Sequence, residues 1–215
     1  MTITHLIYLL LLILAFLASL LARKHPPTLK VFPYLLGLSL LVELTVNIIH
    51  HGLGIDQGYL PLYHFYAVAE FTLLSYFFYI ENKQKGVRRM IMILAIVYFV
   101  SLVPIYMVPL QTLTDFPGYT YNLMGLMIII MSTVTLFLLE PIADLSILRH
   151  PVFWVCISMI IFYSSVVVFN GLYNFLREEY ALQADILLQT IVKGANYILY
   201  LGLIRAFQCS HQMKK

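Results

Sequence analysis

Two glutamates and one lysine stand inside long apolar segments of this chain, at Glu43, Glu70 and Lys193. An ionisable side chain at the centre of a bilayer costs about 2.5–3.5 kcal/mol, so each of them needs a partner or a water-filled cavity. Two carboxylates and one ammonium group cannot pair one to one, which predicts that one carboxyl group is protonated at neutral pH. We expect the Lys193→Met change to unfold the protein or to abolish ligand binding.

Helical periodicity places further polar side chains on the same faces as these three residues. At 100° per residue, Asp185, Gln189, Lys193, Asn196 and Tyr200 lie within an arc of about 80°. The stripes in the other segments are Glu43, Asn47, His50 and His51; Tyr63, Tyr66 and Glu70, with His64 to one side; and Tyr163, Asn170 and Asn174. Four segments therefore present polar stripes that can face one another.

These stripes predict a pocket whose floor holds the three ionisable groups, about 15 Å into an apolar core of about 30 Å. The candidate ligand-binding residues are Glu43, Asn47, His51, Tyr63, His64, Tyr66, Glu70, Tyr163, Asn170, Asp185, Gln189, Lys193 and Asn196. Polar side chains also join membrane helices through hydrogen bonds of about 0.6 kcal/mol each, so a structural role is the alternative for any single Tyr or Asn.

The composition requires membrane-spanning elements to position these residues. The 215 residues are 61% hydrophobic and 11% charged, with a mean hydropathy of +0.89, whereas a soluble domain carries about 25% charged residues. Continuously apolar runs favour helices over strands. We predict an all-α polytopic membrane protein, one domain over 1–215, with seven spans at about 3–22, 31–51, 61–80, 90–110, 121–140, 151–172 and 183–207.

The distribution of basic residues predicts the orientation of the bundle. Eleven of the 13 Lys and Arg residues lie on one side of the predicted spans. By the positive-inside rule that side is cytoplasmic, with the C-terminus inside and the N-terminus outside. The pocket between spans 2, 3, 6 and 7 then opens outward. The basic loop "NKQKGVRR" is typical of a cytoplasmic loop, so no nucleic-acid partner is expected.

A coarse internal repeat accompanies this topology. A shift of 119 residues lays spans 5, 6 and 7 over spans 1, 2 and 3 without a gap, so that "HGL" at 51–53 meets "NGL" at 170–172. Glu70 then meets Gln189. The pattern is that of a 3+1+3 arrangement, which is found in transporters with parallel repeats.

Two functions fit these features best. The first is binding or sensing of a small molecule in the outward pocket, with a separate cytoplasmic or membrane protein as signalling partner and the lipid bilayer as surroundings. The second is transport of a small solute by a 3+1+3 bundle. The pattern indicates no catalytic residues and names no cofactor, which favours a protein that is not an enzyme.

Two further functions are less consistent with the sequence. A lysine in span 7 and a carboxylate in span 3 resemble the Schiff-base lysine and counter-ion of microbial rhodopsins, but the retinal-sandwiching tryptophans are missing, since Trp154 is the sole tryptophan. A zinc or haem site would have to use His50, His51 and His64, although adjacent histidines point about 100° apart on a helix. Cys156 and Cys209 form no disulfide or metal pattern.

Three stretches resemble small uncharacterised seven-helix bacterial membrane proteins. They are "LYHFYAVAEF", the end of span 2 from Asn47 to His51, and "LQTIVKGANYILY". The resemblance extends over most of the chain. It implies the same topology and a multi-pass location in a bacterial inner membrane, and it carries no function.

Overall fold

The computed structural model describes residues 3–22, 27–52, 58–108, 112–114, 116–139 and 147–212, with side chains described throughout these ranges except at 22, 27, 51, 173–189 and 212. Every regular element in these ranges is helical, which confirms the all-α class. The α-helices are α1 (Ile3–Ala22), α2 (Phe32–Asn47), α3 (Leu60–Glu81), α4 (Lys85–Met107), α5 (Gly118–Phe137) and α6 (Pro151–Gln212). Their ends lie within a few residues of the predicted spans, apart from those joined in α6.

Local sequence explains where several of these helices begin. Pro33, Pro61 and Pro151 occupy the first turns of α2, α3 and α6, where the missing N–H of proline would be unpaired in any case. Short 3₁₀ turns precede α2 and α6 at Pro27–Val31 and Ile147–Arg149, and a π-helical turn, Ile48–Gly52, continues α2.

Within the described residues, five segments are long and apolar enough to cross a membrane. They are Ile3–Leu21, Thr28–His50, Lys85–Met107, Gly118–Phe137 and Pro151–Leu172. The outer surface is apolar as well, since Leu10, Val100 and Phe137 are 56%, 62% and 86% exposed. Apolar surface of this extent is expected to face lipid rather than water. The chain is therefore that of a membrane protein.

The last helix differs from the sequence prediction, which places separate spans at 151–172 and 183–207. Its helical backbone runs through 62 residues from Pro151 to Gln212. In one straight helix Ser158 and Gly202 would lie about 66 Å apart, yet a Cβ atom on Gly202 would stand 2.5 Å from the Cβ of Ser158. The chain must therefore reverse direction between two antiparallel limbs, named limb A (151–172) and limb B (190–212).

The described helices form a ring with one helix outside it. Neighbours in contact around the ring are α1, α2, α3, α5, limb A and limb B, with limb B returning to α1. Helix α4 packs on α3 and α5 from outside. We refer to the six ring members as the helix ring.

One end of the helix ring is filled by a tightly packed core. Phe32 makes edge contacts with Phe77 and Phe207 at centroid distances of 5.1 and 5.9 Å, and all three rings are at most 4% exposed. Asn82, the residue after the end of α3, also lies here, and its backbone carbonyl accepts a hydrogen bond from Nε of Arg88 in α4 at 2.7 Å. The other end of the ring is open enough to hold a cavity.

Candidate functional site

A cavity of about 570 Å³ lies inside the helix ring. This volume falls within the range of about 300–1,000 Å³ that is typical of small-molecule pockets. It occupies the end that holds the first turns of α1 and α3, whereas Lys30, Arg88 and Arg205 stand near the opposite helix ends. The sequence places the pocket between four spans, but the structure adds α1 and α5 to its wall through Tyr8 and Tyr121.

Eight of the predicted ligand-binding residues line this cavity. They are Glu43, Tyr63, Tyr66, Glu70, Tyr163, Asn170, Lys193 and Asn196. Their meeting follows from helical periodicity, because each stripe lies on the inner face of its helix. Ligand binding by these residues stays a prediction.

The remaining predicted residues lie elsewhere or outside the described side chains. Asn47 does not line the cavity; its side-chain Nδ2 donates to the backbone carbonyl of Glu43 at 2.7 Å, and its Oδ1 lies 3.1 Å from His5 Nε2. His64 faces α4 instead. The side chains of His51, Asp185 and Gln189 lie outside the described residues.

Glu43 is held by a tyrosine pair rather than by a cation. The hydroxyl group of Tyr8 donates to Oε1 of Glu43 at 3.0 Å, and the hydroxyl of Tyr200 donates to that of Tyr8 at 3.4 Å. Helix α2, α1 and limb B are thereby joined through three side chains. The Glu43 carboxylate is half-buried on the cavity wall.

Glu70 is the more deeply buried carboxylate, with 7% of its surface exposed. Its Oε1 accepts a hydrogen bond from the Tyr163 hydroxyl at 3.0 Å, which joins α3 to limb A. The Tyr163 ring is itself almost fully buried, and a hydrogen bond is electrostatically stronger in such surroundings than in water. Glu70 therefore has a fixed position at the inner wall.

Lys193 pairs with neither glutamate among the described residues. Its Nζ donates to the Thr4 hydroxyl at 3.4 Å, and the Tyr197 hydroxyl one turn further on donates to the Thr4 carbonyl at 2.7 Å. The grouping of two carboxylates around this lysine, which the sequence suggests, is corrected: all three line one cavity, but they take separate partners.

Sequence reasoning left four polar wall residues out of the site: Tyr8, Ser39, Tyr121 and Tyr200. A signal existed for Tyr8, because Thr4, His5 and Tyr8 recur at helical spacing in an otherwise apolar α1. Tyr200 already belongs to the stripe of Lys193. The Ser39 hydroxyl lies 2.7 Å from that of Tyr66, a contact between α2 and α3 that only packing defines.

The histidines do not gather into a metal site within the described ranges. No group of three His, Cys, Asp or Glu side chains stands close enough there to hold an ion. His64 is buried, and its Nδ1 lies 2.5 Å from the Tyr106 hydroxyl, which in turn lies 3.3 Å from that of Thr120. His64 thus links α3 to α4 and α5. Trp154 lies at the far end of limb A, where its indole donates to the Leu148 carbonyl at 2.7 Å.

Comparison with known proteins gives no relative from which a role could be transferred. No family model matches the sequence, and no curated protein or solved structure matches it either. The site must therefore be interpreted from its own geometry.

Proposed function

We propose that this membrane protein binds a small molecule in the cavity of the helix ring. The observation that carries the proposal is a cavity of about 570 Å³ with two glutamates, three amide or ammonium groups, one serine and otherwise apolar or aromatic walls. Small-molecule sites combine such apolar walls with a few placed polar groups. The amide Nδ2 of Asn170 is buried on this wall and has no hydrogen-bond partner among the described residues, which leaves a donor for a ligand.

We propose that the cavity faces outward from a bacterial inner membrane. It occupies the end of the helix ring away from Lys30, Arg88 and Arg205, and the positive-inside rule assigns the end that carries these residues to the cytoplasm. With α3 and limb B counted beside the five apolar segments, the chain crosses seven times, so the N-terminus lies outside and the C-terminus inside. Sensing would then require a cytoplasmic or membrane protein to carry the signal.

Transport of the same small molecule is the alternative function. The packing of the described helices favours it, because α1 to α3 and α5 with the two limbs enclose the cavity while α4 lies outside. A 3+1+3 transporter has this division of helices. Uptake of the bound molecule into proteoliposomes separates the two functions, since a sensor binds it without accumulation.

The test of binding uses two tryptophan substitutions two residues apart. Val166 lines the cavity and is 8% exposed, whereas Val168 points outward and is 60% exposed. Val166→Trp fills the cavity, and Val168→Trp is its matched control on the lipid-facing side. Mass spectrometry of molecules extracted from purified protein should find one that accompanies the wild type and Val168→Trp but is missing from folded Val166→Trp. Equal recovery from both variants would contradict the proposal.

A further inference from the structure

The charges on the cavity wall are not balanced by the protein itself. Two carboxylates, Glu43 and Glu70, line it together with one ammonium group, that of Lys193. The ammonium group donates to Thr4, and each carboxylate accepts a tyrosine hydroxyl. Among the described residues neither carboxylate has a cation within 4 Å. A carboxylate at membrane depth needs a counter-charge or a proton, and a bound cation would supply that counter-charge.

The rest of the wall has the chemistry that recognises a cation. Aromatic side chains from every member of the helix ring except α2 line the cavity, and most of them are tyrosines. Tyr63, Tyr66, Tyr121, Tyr163 and Tyr200 line the same cavity as the two glutamates. Aromatic faces attract ammonium groups, and cages of this kind bind quaternary ammonium ligands.

The remaining walls are aliphatic and define the other part of the ligand. Leu35, Leu36 and Val42 from α2 face Met159 and Leu199 from the two limbs. Such walls favour an alkyl or aryl body over a polar one, because they offer it no hydrogen bonds and gain from burial. The ligand therefore has an apolar part of a few carbons beside its charged group.

We infer that the cavity takes an organic cation, an alkyl or aryl ammonium whose charged group lies between Glu43 and Glu70 while its apolar part contacts the limbs. This inference rests on the proposed function and narrows it to one class of ligand. An anion would meet two carboxyl groups and one ammonium group, and a neutral ligand would require both carboxyl groups to be protonated. The ammonium group can belong to a free amine or to the headgroup of a lipid.

The test measures binding of four probes of similar length to protein in nanodiscs of phosphatidylglycerol, which carries no amine. The probes are hexylammonium, hexyltrimethylammonium, the neutral 1-hexanol and the anionic hexanoate, titrated by calorimetry. At least one of the two cations should bind about tenfold or more tightly than hexanol and hexanoate. Equal or weaker binding of both cations, or no binding by either, overturns the inference.

Substitutions show whether the glutamates cause the preference. Glu70→Gln keeps the acceptor for Tyr163 and should weaken cation binding about tenfold or more while leaving hexanol binding unchanged; Glu43→Gln is the second variant if the first does not fold. Glu81→Gln is the matched control, since Glu81 lies on the same helix outside the cavity lining. A cation preference that survives in both cavity variants would overturn the inference.

Two further comparisons are needed. The first distinguishes a lipid headgroup from a free amine as the ammonium group, and the second distinguishes failure of the cation inference from failure of the proposed binding function. Competition by phosphatidylethanolamine added to the nanodiscs identifies a lipid headgroup, and its lack identifies a free amine; both results support an ammonium ligand once the probes bind. If hexanol binds as well as the cations and Val166→Trp abolishes it, the binding cavity stands and the cation inference fails. If no probe binds and Val166→Trp loses no co-purifying molecule, both proposals fail.

Discussion

The close packing of limb B on limb A predicts that any side chain at Gly202 lowers the stability of the protein. A Cβ atom there would lie 2.5 Å from the Cβ of Ser158, 2.9 Å from its Oγ and 3.4 Å from the backbone oxygen of Trp154. Overpacking of this kind costs about 1–3 kcal/mol. An alanine in a helix also gains about 0.5–1 kcal/mol over glycine. Gly202→Ala should therefore lose up to about 2 kcal/mol of stability.

Gly194 provides the matched control on the same limb. A Cβ atom at Gly194 would meet nothing within 4 Å in the described part of the chain, so Gly194→Ala should gain about 0.5–1 kcal/mol from the backbone alone. The two variants should thus differ by about 1–3 kcal/mol, although they make the same chemical change. Ser158→Gly removes both side-chain atoms that clash and should restore stability to Gly202→Ala.

Thermal unfolding midpoints of purified protein in one detergent at one scan rate measure this order, because membrane proteins commonly unfold irreversibly. Gly202→Ala should unfold at a temperature several degrees below Gly194→Ala, with the Ser158→Gly double variant in between or above. Equal midpoints for the two alanine variants, or no rescue by Ser158→Gly, would refute the packing of limb B on limb A.

Two other predictions concern charged residues at the two ends of the bundle. Burial raises the pKa of Glu81 above 4.5 despite a hydrogen bond from Thr28 and the charge of Lys83, so the unfolded chain loses this proton first and folding is penalised at higher pH. Glu81→Gln should therefore unfold at a higher temperature than the wild type at pH 7. The difference between the two unfolding temperatures should disappear as the pH falls below about 4.5. A lower unfolding temperature for Glu81→Gln at pH 7 would contradict this prediction. Lys193→Met removes one hydrogen bond to Thr4, so it should lower the stability of the protein by about 1 kcal/mol or less and strengthen hexylammonium binding. Unfolding of this variant, or loss of cation binding, would instead support the central role of Lys193 that the sequence suggests.

Much of the fold and part of the site can be predicted from the sequence, because apolar length and helical period are local properties. Continuous apolar runs give the helices to within a few residues, and the 100° period places Glu43, Glu70 and Lys193 on inner faces. The structure brings all three to one cavity. Which helices enclose it beyond the four with clear stripes depends on packing, so the contribution of α5 through Tyr121 leaves no local signal.

Partners across helices are the part that the sequence does not reveal. Opposite charges suggest that Lys193 meets a glutamate, but hydrogen-bond partners depend on side-chain reach and on the rotation of each helix within the bundle. In the structure the hydroxyl groups of Tyr8 and Tyr163 donate hydrogen bonds to the carboxylates of Glu43 and Glu70. The sequence predicts two spans at 151–172 and 183–207, but it does not reveal that helical backbone joins the two limbs, with no proline between them.

The contacts between α1 and limb B have a consequence for biosynthesis. Tyr197 donates to the carbonyl of Thr4 across 193 positions of sequence, and Tyr200 reaches Tyr8 across 192. Because α1 precedes limb B in the sequence, these two contacts can form only after limb B has been synthesised, whereas Tyr8 can meet Glu43 of α2 earlier. The cavity wall is complete only once limb B has joined α1, because limb B supplies Lys193, Asn196 and Tyr200.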